Sequence, residues 1–160
     1  MINGVEHTSF VVSDLDRSIE FYRLLGAEVE WRVDRDTIVP LRSQVGYPDA
    51  VISIAQLALP GGTHRLELIQ YLTPTGAERP PERCGIGAAH LCLTVDDIHA
   101  EVRRLKAARV AFVSEPQYFD DGPDAGVWAV YFLDPDGITM ELTQGPSRPV
   151  GAMPGLQGES

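Results

Sequence analysis

The sequence repeats itself, and that constrains the fold more than any other feature. Moved by 83 residues, GVEHTSFVVSDL (4–15) falls on GAAHLCLTVDDI (87–98), with Gly, His, Val and Asp in common. The same shift carries Leu15, Ile19 and Tyr22 onto Ile98, Val102 and Leu105. Both sets form the i, i+4, i+7 stripe of an amphipathic helix. A second shift, of 74 residues, lays LPGGTHRLELIQ (59–70) on LDPDGITMELTQ (133–144), where Leu, Glu, Leu and Gln coincide. The two shifts differ by nine residues, so the first copy has a longer middle, assigned to VDRDTIVPLRSQVGYPDA as a loop or short helix.

Turn and strand signals complete the two copies. The first reads as strand 5–12, helix 16–25 stopped by Gly26, and strands near 28–33, 51–59 and 63–72. The second reads as strand 89–95, helix 98–108, and strands near 110–113, 126–133 and 139–144, with DPDG turning the last hairpin. Asp14 and Asp97 precede the helices at equivalent places and read as N-caps. The expected class is α+β: two β-α-β-β-β modules, 4–72 and 88–144, whose mixed sheets cup a shared cavity. They form one domain, 1–144, with a linker at 73–87. Residues 145–160 lack apolar periodicity and are expected to be a disordered tail.

Strand parity singles out four side chains. Alternate residues of a strand face opposite sides. His7 therefore lies opposite Phe10 and Val12, Glu67 opposite Leu66 and Leu68, His90 opposite Leu91 and Leu93, and Glu141 opposite Met140 and Leu142. The leucine-rich faces suit the helices, so the imidazoles and carboxylates project from the other faces. Buried carboxylates need a counter-charge. One divalent cation supplies it, and two imidazoles with two carboxylates suit Zn, Ni, Co, Mn or Fe with room left for substrate oxygens. The expected metal ligands are His7, Glu67, His90 and Glu141.

Charge narrows the partners. With 13 basic against 23 acidic residues the formal net charge is −10. Nucleic acid and anionic membranes reward basic clusters, so neither is expected and a small-molecule substrate is. Cys84 and Cys92 form neither a CxxC pair nor a disulfide framework, and no apolar run is long enough to span a bilayer, which together suggest a cytoplasmic protein.

The paired modules, opened by EHTSFVVSDLDRSIEFYRLLG and closed by YFLDPDGITMELTQ, resemble the vicinal oxygen chelate superfamily over about residues 4–144. That superfamily contains glyoxalase I, methylmalonyl-CoA epimerase, fosfomycin-resistance transferases, extradiol dioxygenases and bleomycin-binding proteins. The resemblance implies curved sheets around a metal, with ligands from the first and last strand of each module. The His/Glu/His/Glu set is most similar to glyoxalase I and close to the epimerase. It implies a metal-dependent lyase or isomerase, moving a proton through a metal-stabilised enediolate on an oxygen-chelating substrate, with Glu141 or Glu67 as the catalytic base. The alternatives are an antibiotic-binding resistance protein without catalysis and an extradiol-type dioxygenase. Modules of this superfamily pair within or between chains, and a homodimer is expected.

Substrate contacts are expected from Arg65, which shares the strand face of Glu67, from Tyr71, and from Tyr118 and Trp128 of EPQYFDDGPDAGVW. Val11 stands where glyoxalase I has an Arg for glutathione, and Tyr71 where it has an Asn. His64 has the wrong parity for a ligand and His99 is expected to face solvent.

Overall fold

The apolar stripe of each helix decides which face of its sheet is closed. In the computed structural model, which describes residues 1–62, 64–76 and 82–146, helix α1 (Leu15–Leu24) buries Leu15, Ile19 and Tyr22. Its repeat, α3 (Ile98–Ala107), buries Ile98, Val102 and Leu105. Both helices start on the expected caps. Asp14 Oδ1 accepts from the Arg17 N–H at 3.0 Å and Asp97 Oδ1 from the Ala100 N–H at 2.9 Å. The shared glutamines explain themselves in the same way. Gln70 Oε1 accepts from the Leu15 N–H at 3.3 Å, and Gln144 Oε1 from the Ile98 N–H at 2.8 Å. Each therefore ties the last strand of a module to its helix's first turn, where backbone donors have no intrahelical acceptor. We expect Asp97→Ala to cost about 1 kcal/mol, read as a lower urea midpoint with unchanged slope.

The described residues fall into two compact units. The first contains α1 and a four-stranded sheet built from β1 (His7–Val11), β2 (Glu28–Asp36), β3 (Val51–Ala58) and β4 (Arg65–Thr73), in the order β1-β4-β3-β2. Strand β1 is parallel to β4 and the other pairs are antiparallel. The second unit contains α3 and a five-stranded sheet of β5 (His90–Thr94), β6 (Ala111–Phe112), β7 (Gln117–Phe119), β8 (Val127–Leu133) and β9 (Thr139–Gln144). Its order is β5-β9-β8-β6, with β7 also on β8. This is the expected α+β class with mixed sheets.

Two details depart from the sequence reading. The place of β2 is shared in the second unit by β6 and β7, which both pair with β8 on either side of Pro116. Proline has no N–H for the ladder and interrupts the strand there. In the first unit the insertion forms α2 (Val39–Val45), whose Leu41 and Val45 pack with Ile69 and Tyr71 against Ala50, Ile52 and Ile54. Part of the sheet face away from α1 is thus covered. Of the linker and tail, residues 77–81 and 147–160 lie outside the described residues. No helix among the described residues is long and apolar enough to cross a membrane.

Candidate metal centre

Each unit brings one imidazole to one carboxylate, and the sheet register is the cause. In the parallel pair β1/β4, His7 lies opposite Arg65 and Ser9 opposite Glu67. In β5/β9, His90 lies opposite Thr139 and Cys92 opposite Glu141. The histidine and glutamate are thus diagonal neighbours on one face, with the same offset in both units. His7 Nε2 stands 3.5 Å from Glu67 Oε1, and His90 Nε2 stands 3.1 Å from Glu141 Oε2. Two donor atoms bonded to one ion at about 2.1 Å are roughly 3.0–3.4 Å apart at angles of about 90–110°. Both pairs come close to the spacing of neighbouring ligands in one coordination sphere. The imidazoles are the open members, 36% and 43% exposed, while Glu67 and Glu141 are only 17% and 18% exposed. Sheltered carboxylates of this kind favour a bound cation over bare solvation. Among the described residues, no group of three or more His, Cys, Asp or Glu is gathered to hold an ion. The four expected ligands are therefore present as two pairs.

The first pair has support behind it. His7 Nδ1 is hydrogen-bonded to Glu6 Oε2, which leaves Nε2 turned toward Glu67. The adjacent ring holds the Glu6 carboxyl below the usual carboxylate range, with Arg65 adding to the effect. Arg65 Nε donates to Glu30 Oε2 at 2.5 Å and its Nη1 lies 3.5 Å from Glu6 Oε1. Its charge is thus matched by two acids. Gln56, directly across from Glu67, accepts from Trp31 Nε1 at 2.7 Å and reaches Glu6 with its amide nitrogen at 3.5 Å.

The second pair has different neighbours. Tyr131 stands opposite Glu141, and its ring is 5.2 Å from that of His90. Cys92 Sγ lies 3.5 Å from Thr143 Oγ1. Burial, reinforced by the charge of Glu141, raises both the Tyr131 phenol and the Cys92 thiol above their ordinary values. Both groups stay protonated at neutral pH and can donate a hydrogen bond.

The four expected substrate residues separate. Arg65 shares the face of Glu67, but in a carboxylate cluster. Tyr71 packs edge-on to Tyr47, 6.1 Å between ring centres, beside α2. The expectation that Tyr118 and Trp128 border the site requires correction. Trp128 lies opposite Gln144 on the α3 side, with its ring 4.8 Å from His99, and Tyr118 lies opposite Trp128, 5.1 Å away. The reason is parity: Trp128 precedes Tyr131 by three positions, so it points the other way. His99 rests against that indole. Phe119 has the parity that Tyr118 lacks, facing Val127 across the ladder. His64 is away from the metal pair, its Nε2 2.8 Å from Thr8 Oγ1.

Tyr131 and Gln56 were missed by the sequence reading. The available signal was the hairpin: counting back from each glutamate through its turn reaches them.

Comparison with known proteins agrees with this fold. The family model for the Glyoxalase/Bleomycin resistance protein/Dioxygenase superfamily matches residues 4–142. A 2-epi-5-epi-valiolone epimerase of Actinomyces sp is 33% identical over 148 residues, covering 90% of this chain and 80% of that protein. The mitochondrial methylmalonyl-CoA epimerase of Homo sapiens is 30% identical over 150 residues, covering 89% and 74%. The crystal structure of a glyoxalase family protein from Bacillus cereus superposes with a TM-score of 0.79 at 25% identity, covering 92% of this chain and 97% of that one. The likeness runs through both copies of the repeat, helices and sheets together, and the chain belongs to the glyoxalase/bleomycin resistance protein/dioxygenase superfamily.

Proposed function

We propose that this chain is a divalent-metal-dependent epimerase or isomerase that moves a proton at a carbon beside a carbonyl group. The observation that carries the reading is the repeated His–Glu pair with ligand-like spacing, 3.5 Å in one unit and 3.1 Å in the other. The candidate ligands are His7 with Glu67 in the first unit and His90 with Glu141 in the second. When bound, a divalent cation supplies Lewis-acid stabilisation of negative charge developing on a substrate oxygen. The two epimerase relatives support the reaction class, because both named substrates are carbonyl compounds.

Inverting a stereocentre by proton transfer needs one group to take the proton and another to return one. Glu67 and Glu141 are the sheltered carboxylates, one in each unit, and both are candidates for proton transfer. Tyr131 and Cys92, held protonated beside Glu141, do not compete as bases. Glu6 orients the His7 ring, and the Tyr131 ring lies against that of His90.

The experiment is proton exchange in D2O. The metal-loaded protein should place deuterium at the α-carbon of its carbonyl substrate, detected by NMR or mass spectrometry. Treatment with a chelator should reduce the exchange to background, and added Mn²⁺, Co²⁺, Ni²⁺ or Zn²⁺ should restore it. Oxygen consumption with ring cleavage, or tight ligand binding that survives chelation without exchange, would refute the proposal.

A further inference from the structure

The face that carries His90 and Glu141 does not end at the metal pair. Thr143 follows Glu141 by two positions on β9, and Thr94 follows Cys92 by two on β5. At about 3.3 Å per residue they stand roughly 7 Å further along the same face. There they line a cavity of about 470 Å³ in the second unit, with Asp96, Asp124, Val127 and Gly145 among the other walls. The volume suits a compact small molecule.

The lining has a definite chemistry. The two threonine hydroxyls donate and accept hydrogen bonds, while aspartate carboxylates only accept. Among the described residues, no Lys, Arg or His lines the cavity. A phosphate or carboxylate would meet like charge, made worse by the chain's net charge of −10. A hydroxyl group can instead donate to the aspartates and exchange hydrogen bonds with the threonines. In the first unit, the arginine on the face of Glu67 gives no ready anion anchor, since Arg65 is already matched by Glu30 and Glu6.

We infer that this cavity binds the body of a compact, uncharged, polyhydroxylated carbonyl compound, which makes such a hydroxyketone, and not an anionic thioester or glutathione adduct, the substrate class. The inference rests on the proton-transfer reading for the carbonyl end of the substrate. The cavity itself is assigned on its lining alone.

The test uses three probes with the metal-loaded protein in D2O: scyllo-inosose as a neutral cyclic polyhydroxyketone, methylmalonyl-CoA, and the methylglyoxal–glutathione hemithioacetal. Deuterium exchange should favour the inosose in kcat/KM by about a hundredfold, the equivalent of losing two charge-assisted hydrogen bonds. Asp124→Asn and Thr94→Val should each raise KM for inosose about tenfold and leave kcat nearly unchanged. Calorimetric titration of inosose into the chelated protein gives a readout separate from activity. Binding that weakens in both variants supports the cavity, even if no probe exchanges; in that case the proton-transfer reading fails and the cavity assignment stands. Absence of inosose binding, unchanged KM in both correctly folded variants, or preference for either anionic probe would overturn the inference. An anionic preference abolished by Arg42→Ala would place recognition at α2 instead.

Discussion

Replacing Glu141 with Ala should lower turnover by about 10²–10⁴-fold and leave the purified protein short of metal. Two losses combine in this variant. The carboxylate is 18% exposed and stands 3.1 Å from His90 Nε2, so in the proposed site its removal would deprive the ion of an oxygen ligand and leave His90 without its pair. It also removes one of the two groups assigned to proton transfer. Glu141→Gln separates the effects, because the amide oxygen can still coordinate but the side chain cannot accept a proton at neutral pH. The Gln variant should retain more metal than the Ala variant while its deuterium exchange remains close to that of the Ala variant. Metal content by mass spectrometry and exchange by NMR, measured on the same preparation, decide the matter. Full exchange in the Gln variant would assign the proton to Glu67 alone. Full exchange and full metal content in the Ala variant would remove Glu141 from the site. The fold should survive either change, since the buried core of β9 is Met140 and Leu142 on its other face.

Much of this site could be read from one chain because the repeat converts weak signals into paired ones. One histidine on a strand says little; His7 and His90, each followed by a capped helix and each answered by a glutamate on the module's last strand, say considerably more. Strand parity then needed only local alternation, and the structure puts each glutamate diagonal to its histidine. What escaped the reading depends on register between strands. Glu67 faces Gln56, eleven positions back, whereas Glu141 faces Tyr131, ten positions back. The shift that superposes the glutamates therefore does not superpose their neighbours, and Tyr131 had no repeated partner to draw attention to it. Trp128 belongs both to the EPQYFDDGPDAGVW segment and to the expected strand 126–133, and in β8 it obeys that strand's alternation, three positions from Tyr131. The contribution of α2 was hidden for a related reason. Its short sequence shows no full amphipathic period, and its position follows from tertiary packing against Ile52, Ile54 and Tyr71. The cavity at Thr94 and Thr143 needed the hydrogen-bonded pairing of β5 with β9, which no local pattern specifies.

Glu6→Ala should weaken divalent-metal affinity by about 10–100-fold while changing thermal stability little. Glu6 is no ligand in this arrangement. Its carboxylate is 61% exposed and holds His7 Nδ1, so in the proposed site it would act on the ion through that ring. A neutral imidazole carries its proton on one nitrogen and its lone pair on the other, so a carboxylate at Nδ1 fixes the proton there and leaves Nε2 free to coordinate. Without Glu6 the ring can adopt the other tautomer or rotate away from Glu67, and the entropy of ordering it falls on the metal. Glu6→Gln tests whether hydrogen bonding or charge is responsible: its amide oxygen can still accept from Nδ1–H, so affinity should recover most of the way toward the wild type. Titration with Co²⁺ gives both the affinity and, from the visible spectrum, the coordination environment. A merely structural role for Glu6 would lower the melting temperature of the metal-free protein and leave affinity unchanged. Equal losses in the Ala and Gln variants would show that the negative charge, shared with Arg65, is what matters and that orientation of the ring is secondary.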